Sequence, residues 1–438
     1  MNSNTRLNIE KSEAQSHNGM VATKDKLASN IGVEILKLGG NAIDAGVAAC
    51  LAVGVVEPES SGIGGGGYMV FQVENTGGVI GFPMKGPLQA TPNMYELTGE
   101  PRVGNFGWPG VVNDENIHGY RSIAVPGCVA GLLEAHKRFG KLPLSEVVDP
   151  ALNLARKGFY PEWFTLYKLG WLVDMLLRYP ELGKTFMPNG VLPFGTPEAA
   201  FLLKQPDLAD SLEIIKVQGH DGFYKGDIAK NIVSDVQKND GILTLEDFEE
   251  YKPFYWESGL EFRYRDKTIR VPPFASAGIT SAMTMKLLNH ANITKMGHNS
   301  PKMLDTYIRA AKMSYADRFE YLADPNVADV PWEGLLSDTY SEERFEEILN
   351  NNHLEFKHGN PWKHQKITQT YNKLEGSAPS PDNGTTHLSI IDGDGNAVAI
   401  TNTIMSGFGS GIIPKGTGIV MNNGMMWYDP VPGRVNSV

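Results

Sequence analysis

PDNGTTHLSIIDGDGNAVAITNT, residues Pro381 to Thr403, reads as two short strands joined by a tight turn. Leu388 and Ile390 alternate with small polar residues before the turn, and Val398 and Ile400 do so after it. Gly393, Asp394, Gly395 and Asn396 between them supply turn chemistry, so the stretch predicts a β-hairpin. A turn centred on Asp394 places Thr385 opposite Thr403 and His387 opposite Thr401. Directly opposed residues hold their Cβ atoms roughly 4.5 to 5.5 Å apart, close enough for two hydroxyls to hydrogen-bond. One face of the hairpin then carries Thr385, His387, Ser389, Ala399, Thr401 and Thr403. The other turns Leu388, Ile390, Val398 and Ile400 to a core.

A threonine hydroxyl is a weak nucleophile unless a base lies beside it, and one solution is a threonine at a chain N-terminus whose own amine takes the proton. That amine has an unperturbed pKa of about 7.7 to 8.0, near working pH. A threonine inside a chain must first be freed. Gly384 has no Cβ and lets the bond before Thr385 take up a strained geometry in which the Thr385 hydroxyl attacks the Gly384 carbonyl. The competing reading of the same residues is an ordinary edge hairpin whose threonines serve β propensity.

The 438 residues suffice for a sizeable core, and 41% hydrophobic with 20% charged residues is a globular composition. A net charge of −11 argues against nucleic acid or an anionic membrane as partner and favours a small-molecule or peptide amide. Cys50 and Cys128, the two cysteines, lie in apolar surroundings and read as small buried hydrophobes. The polar N-terminus has no apolar signal region, and the longest apolar run, Ala45 to Val56, is shorter than the ~20 residues that cross a bilayer. The expected location is cytoplasmic. No HExxH, CxxC or P-loop lysine occurs, so neither a metal nor another cofactor is expected. His387 reads as a satisfied strand residue rather than a base.

Along the chain, helices are predicted over Lys26–Leu38 and Ala42–Val56, the second apolar on all sides and stopped by Pro58. Gly62, Gly64 and Gly67 satisfy GxGxxG, but a helix precedes them and a strand, Tyr68–Val73, follows. That is the reverse of a dinucleotide loop, and the glycines read instead as places of close backbone approach under an active-site floor. Asn75 to Gly78 turns into a strand, Val79–Phe82. Helices follow from Pro126 to Phe139, Ser145 to Lys157 and Trp163 to Leu177. Residues 180 to 225 read as an irregular crossover before a helix, Asp227–Lys238. Thr244–Tyr251 reads as a short helix with Glu246 in its capping box, and Leu260–Val271 as a hairpin turning at Arg265 and Asp266. Helices Ile279–His290 and Lys302–Tyr321 then lead to a polar stretch, 352 to 384, read as an exposed loop where a processing site is reachable.

The chain resembles the γ-glutamyltranspeptidase family of N-terminal nucleophile hydrolases from about Gly19 to its end. The resemblance is carried by GGNAIDAGVAACLAVGVVEPESSGIGGGGYMV, SIAVPGCVAGLLEAHKRFGKLP, FYKGDIAKNIV, MSYADRFEYLADP and DVPWEGLLS, and above all by TTHLSIIDGDGNAVAITNT with FGSGI and MNNGMMW after it. It implies an α+β fold, a four-layer αββα sandwich. It also implies a precursor cut between Gly384 and Thr385, with Thr385 as nucleophile and base and Thr403 steadying its hydroxyl. Residues 1–384 would form a large-subunit region and 385–438 the start of a small one, together one intertwined domain, and the resemblance allows a homo-oligomer. Three departures stand out. Pro83 occupies the position of the family's substrate-carboxylate arginine, leaving Lys85 as a point charge nearby. Met405 and Trp427 replace a polar and an acidic residue, with Asp429 the nearest acid, which argues against glutathione. The small subunit and its glycine oxyanion donors would extend past Val438. A non-catalytic relative that keeps the fold for binding is the alternative.

Overall fold

A computed structural model describes residues 13–101, 108–193, 201–273, 276–351, 355–365 and 384–438. Its centre is a six-stranded antiparallel sheet in the order β1-β5-β6-β2-β3-β4. The strands are β1 (Gly19–Ala22), β2 (Gly66–Val73), β3 (Thr76–Phe82), β4 (Phe254–Glu257), β5 (Thr386–Asp392) and β6 (Ala397–Thr403). The hairpin β5–β6 lies in the middle and has the expected register, with His387 opposite Thr401 and Ile390 opposite Val398. Leu388, Ile390, Val398 and Ile400 are buried while His387, Ser389 and Ile391 are exposed, so the pleat divides core from surface as the alternation requires.

Under the buried face runs α2 (Ala42–Val56), every residue of which is buried. Apart from Asp44 it is apolar all round because it is covered all round, by α1 (Lys26–Lys37) and α4 (Leu144–Lys157) on one side and the hairpin on the other. Gly46 brings α2 close to the hairpin: a Cβ there would stand 3.2 Å from the Ile400 side chain and 3.3 Å from that of Val398. Each buried Val, Leu or Ile contributes about 1.5 to 3 kcal/mol. The helix starts with a capping box, Asn41 accepting from the amides of Ile43 and Asp44, and Asp44 accepting from Asn41. Asp392, at the end of β5, accepts from the Ala42 amide at 3.0 Å and from Asp394 and Asn396 in the turn. One carboxylate therefore ties the hairpin turn to the start of α2.

The glycine-rich segment does what the sequence reading assigned to it. A Cβ at Gly64, Gly65 or Gly67 would collide with the carbonyl oxygen of Val420, Thr403 or Thr401 respectively. The segment is thus the floor on which the Thr403 end of the hairpin rests. Together α1, α2, α3 (Cys128–Phe139) and α4 supply one helical layer over one sheet. A further group, Ala277–His290, Pro301–Tyr321 and Asp338–Asn350, forms smaller cores with the hairpin Leu260–Tyr264 and Lys267–Val271. Cys50 and Cys128 are both buried, and Cys50 lies against Cys128, whose thiol is pushed well up by that contact and by burial.

Several expectations are corrected. Residues 180–225 hold helices Pro180–Phe186 and Pro206–Tyr224 among the described residues. Pro206 stands in the first turn, where its missing N–H costs nothing, and Leu208, Leu212 and Ile215 form the buried stripe. The predicted helix Trp163–Leu177 is two, Trp163–Trp171 and Val173–Arg178, broken at Leu172. The turn before β3 is Glu74–Asn75, with Thr76 to Gly78 already paired. The capping box of Leu245–Glu249 joins Thr244 to Asp247, not Glu246. Within the stretch read as a loop, residues 355–365 are anchored: Arg344 donates to the Lys357 carbonyl at 2.6 Å and Tyr321 to that of Gly359 at 2.6 Å. Residues 352–354 and 366–383 lie outside the described residues.

Candidate active site

Thr385 and Thr403 face each other across the open end of the hairpin. The Thr385 hydroxyl donates to Thr403 Oγ1 at 3.3 Å, and Thr403 Oγ1 donates to the carbonyl oxygen of Gly384 at 2.5 Å. The Met405 amide donates to Thr403 Oγ1 at 2.8 Å. One hydroxyl thus spends its single proton on the Gly384 carbonyl while its lone pairs take Thr385 and Met405, which is its full capacity. Thr385 is exposed and Thr403 buried, so the first is reachable and the second is held. Gly384 has φ +155°, and a Cβ there would collide with the Met405 carbonyl, so this position takes glycine.

The turn after Thr403 is strained and clamped. Met405 (φ +85°) and Phe408 (φ +57°) both lie in the left-handed region, which costs non-glycine residues of order 1 to 3 kcal/mol each. The Ile404 amide donates to Ser60 O at 3.3 Å and the Phe408 amide to Glu59 O at 3.0 Å. Asn423 completes the clamp, accepting from the Ser406 amide at 3.1 Å and donating to Ser406 Oγ and to the Ile117 carbonyl. Asn422 joins the floor to its neighbour, donating to the Gly64 and Ala124 carbonyls. Sequence reasoning assigned these asparagines no role; the signal was two adjacent amides after the apolar run Ile419–Met421, where buried amides require partners.

The other sequence candidates lie apart from this hydroxyl pair. His387 has both ring nitrogens engaged, Nδ1 with Thr401 Oγ1 at 2.8 Å and Nε2 with Ser389 Oγ at 3.3 Å, and burial lowers its pKa. Lys85 is exposed, with its backbone paired to Val125. Asp429 is fully buried and accepts from the Val431 amide at 3.0 Å and Arg434 Nη1 at 3.1 Å. Neither bonds to Thr385 or Thr403 among the described residues. The described residues also hold no group of three His, Cys, Asp or Glu suited to a metal ion.

Two buried carboxylates that the sequence reading did not single out lie behind the turn. Lys24 Nζ stands 2.8 Å from Glu57 Oε2 and 3.9 Å from Glu59 Oε1. Burial outweighs the lysine and pushes the Glu57 pKa up to about 7, and Glu59 is raised by the same cause. A raised carboxyl holds its proton in the folded state where the unfolded chain, with a value near 4.5, has lost it. Stability therefore falls as pH rises from 4.5 through 7, by on the order of 3 kcal/mol from Glu57. Glu57→Gln is expected to at least halve the loss of thermal midpoint between pH 5 and pH 8. An unchanged loss in the variant would refute this assignment.

The comparisons with known proteins bear directly on this hairpin. A sequence profile described as γ-glutamyltranspeptidase matches residues 28–437, nearly the whole chain and both threonines. The chain belongs to the γ-glutamyltranspeptidase family. It is 34% identical over 431 residues to a glutathione hydrolase proenzyme of Bacillus subtilis, covering 96% of this chain and 70% of that protein. It is 33% identical over 435 residues to an acylase ACY 1 proenzyme of Pseudomonas sp. strain V22, covering 98% of this chain and 73% of that one. Among solved structures, cephalosporin acylase from Bacillus halodurans superposes with a TM-score of 0.80 and 26% identity, over 100% of this chain and 76% of that one. The fold is thus the α+β fold of the N-terminal nucleophile hydrolases, of which the described residues supply one six-stranded sheet with its helical cover and two smaller two-stranded sheets. As a family member the chain is a γ-glutamyltranspeptidase-like amidohydrolase or acyltransferase. No helix among the described residues is long and apolar enough to cross a membrane.

Proposed function

We propose that the chain cuts itself between Gly384 and Thr385 and that the new terminal threonine then attacks an amide carbonyl. The carrying observation is the bond from Thr403 to the Gly384 carbonyl, made while the same hydroxyl accepts from Thr385. In the uncut chain Thr385 Oγ1 adds to the Gly384 carbonyl carbon. Thr403 donates to the oxygen as negative charge grows there, and the C–N bond breaks with its electron pair passing to the Thr385 nitrogen, which takes the proton that the Thr385 hydroxyl gave up on attack. The resulting ester is hydrolysed, leaving a carboxylate at Gly384 and an amine on Thr385. In turnover that amine takes the hydroxyl proton as Thr385 Oγ1 attacks the substrate, and gives it to the leaving amine. The acyl-enzyme then passes to water or to an acceptor amine.

Residues 1–384 become the large subunit, and the small one begins at Thr385. Strand β1 of the first pairs with β5 of the second, and β2 with β6, so cutting leaves one intertwined domain. The relatives named for glutathione hydrolysis and for acylase activity support a small amide as substrate. The test is covalent capture. The full-length protein treated with an electrophilic β-lactone should give one acylated peptide, beginning at Thr385 and modified on its side chain. Acylation elsewhere, with Thr385 free and unmodified, would overturn the assignment.

A further inference from the structure

We infer that an accepted acyl group carries an unsubstituted CH2 next to its carbonyl, and that the backbone carbonyl of Met405 enforces this; the inference rests on the reading of Thr385 as nucleophile. Before the cut the carbonyl under attack is that of Gly384, and in turnover it is the substrate's, but the attacking oxygen is the same. Its surroundings are the same too, because the strands that carry the two threonines lie inside the sheet, β5 between β1 and β6, and β6 between β5 and β2. Thr403 Oγ1, 2.5 Å from the Gly384 carbonyl oxygen, therefore marks where a substrate carbonyl comes to lie. The Gly384 Cα marks the first carbon of the acyl chain.

That carbon has one closed direction. A Cβ on Gly384 would collide with the Met405 carbonyl oxygen and would stand 3.3 Å from the carbonyl carbons of Met405 and Ser406. A hydrogen fits there and a methyl group does not. The obstacle is main chain, so no change of rotamer removes it. It is also held by bonds that the cut leaves alone. The Met405 amide donates to Thr403 Oγ1, the Ser406 amide donates to Asn423 Oδ1, and the Asn423 amide donates to the Ile404 carbonyl at 3.2 Å. The consequence is a chemical class. Fatty-acyl and arylacetyl amides, and amides of a side-chain carboxyl, carry CH2 beside the carbonyl and pass. Ordinary peptide bonds do not, except after glycine, since every other L-residue carries a Cβ in the closed direction. An exposed nucleophile is thereby kept from cutting other chains.

The experiment treats the full-length protein, incubated until cut, with the p-nitrophenyl esters of butanoic, 2,2-dimethylbutanoic and 3,3-dimethylbutanoic acids. The last two are isomers that move the same pair of methyl groups from the first acyl carbon to the second. In each case Thr385 Oγ1 adds to the ester carbonyl, p-nitrophenolate leaves with the bonding electron pair, and the hydroxyl proton passes to the Thr385 amine. Nitrophenolate release gives the rate, divided by that of the same ester with hydroxide, and peptide mass places the acyl group on Thr385. The corrected rate of the 2,2-dimethyl ester should fall about a hundredfold below that of its isomer. Asn423→Ala, which takes the acceptor from the Ser406 amide, should loosen the turn and shrink this ratio. Equal corrected rates for the two isomers overturn the inference, and so does an unchanged ratio in the variant. A protein that stays uncut, or whose Thr385 the butanoyl ester does not acylate, overturns the nucleophile reading, and this inference falls with it.

Discussion

Thr385→Ala is expected to leave the full-length protein as one uncut chain and to lower amide turnover by at least about 10⁴-fold. The methyl group removes the hydroxyl to which the attack on the Gly384 carbonyl is assigned, so both self-cleavage and acyl transfer fail together. Among the described residues the exposed side chain makes one hydrogen bond, to Thr403, so folding should change by less than about 1 kcal/mol. Electrophoresis with an acyl anilide assay reads the two activities, and thermal unfolding reads the third quantity. Thr385→Ser should cut and turn over slowly, since the hydroxyl remains. Cleavage of the alanine variant at the wild-type rate would mean that another group attacks the bond.

Thr403→Val is expected to slow self-cleavage by about 10² to 10³-fold. Valine has the shape of threonine but strips three partners at once: the Gly384 carbonyl loses its donor, and Thr385 and the Met405 amide lose their acceptor. The Met405 amide is the structural loss. It belongs to a turn already strained at φ +85°, and leaving it unpaired should cost roughly 1 to 3 kcal/mol of stability. The measurement is the time course of fragment appearance after refolding, alongside a denaturant titration. Thr403→Ser should recover most of the rate, whereas a valine variant that cuts as fast as wild type would remove Thr403 from the chemistry.

The hairpin was legible because three independent signals agree on it: period-two alternation, turn residues of the right kind, and threonines whose positions follow from the register. The helix Ala42–Val56 was legible too, since a stretch apolar but for Asp44 and stopped by Pro58 has few other destinies. The helix Pro206–Tyr224 was hidden by its own composition. Its leading proline and its internal glycines 219 and 222 look like loop chemistry, and Gly219 does break the helical geometry at φ +60°. Residues 355–365 looked solvated because their partners, Arg344, Asp317 and Tyr321, lie on helices remote in sequence. For the site, the nucleophile pair could be read locally. The clamp of Asn422 and Asn423 and the buried pair Glu57 and Glu59 could not, because their effect depends on desolvation and on backbone groups hundreds of residues away.

The central claim is that this sequence makes its own reactive amine beside a hydroxyl that the amine can deprotonate. The most direct measurement is the intact mass and N-terminal sequence of the purified full-length protein after incubation in buffer alone. Two fragments are predicted, one ending at Gly384 and one whose first residue is Thr385, with masses that add to the whole chain plus one water. A single uncut chain, or a second fragment beginning at any other residue, would contradict it.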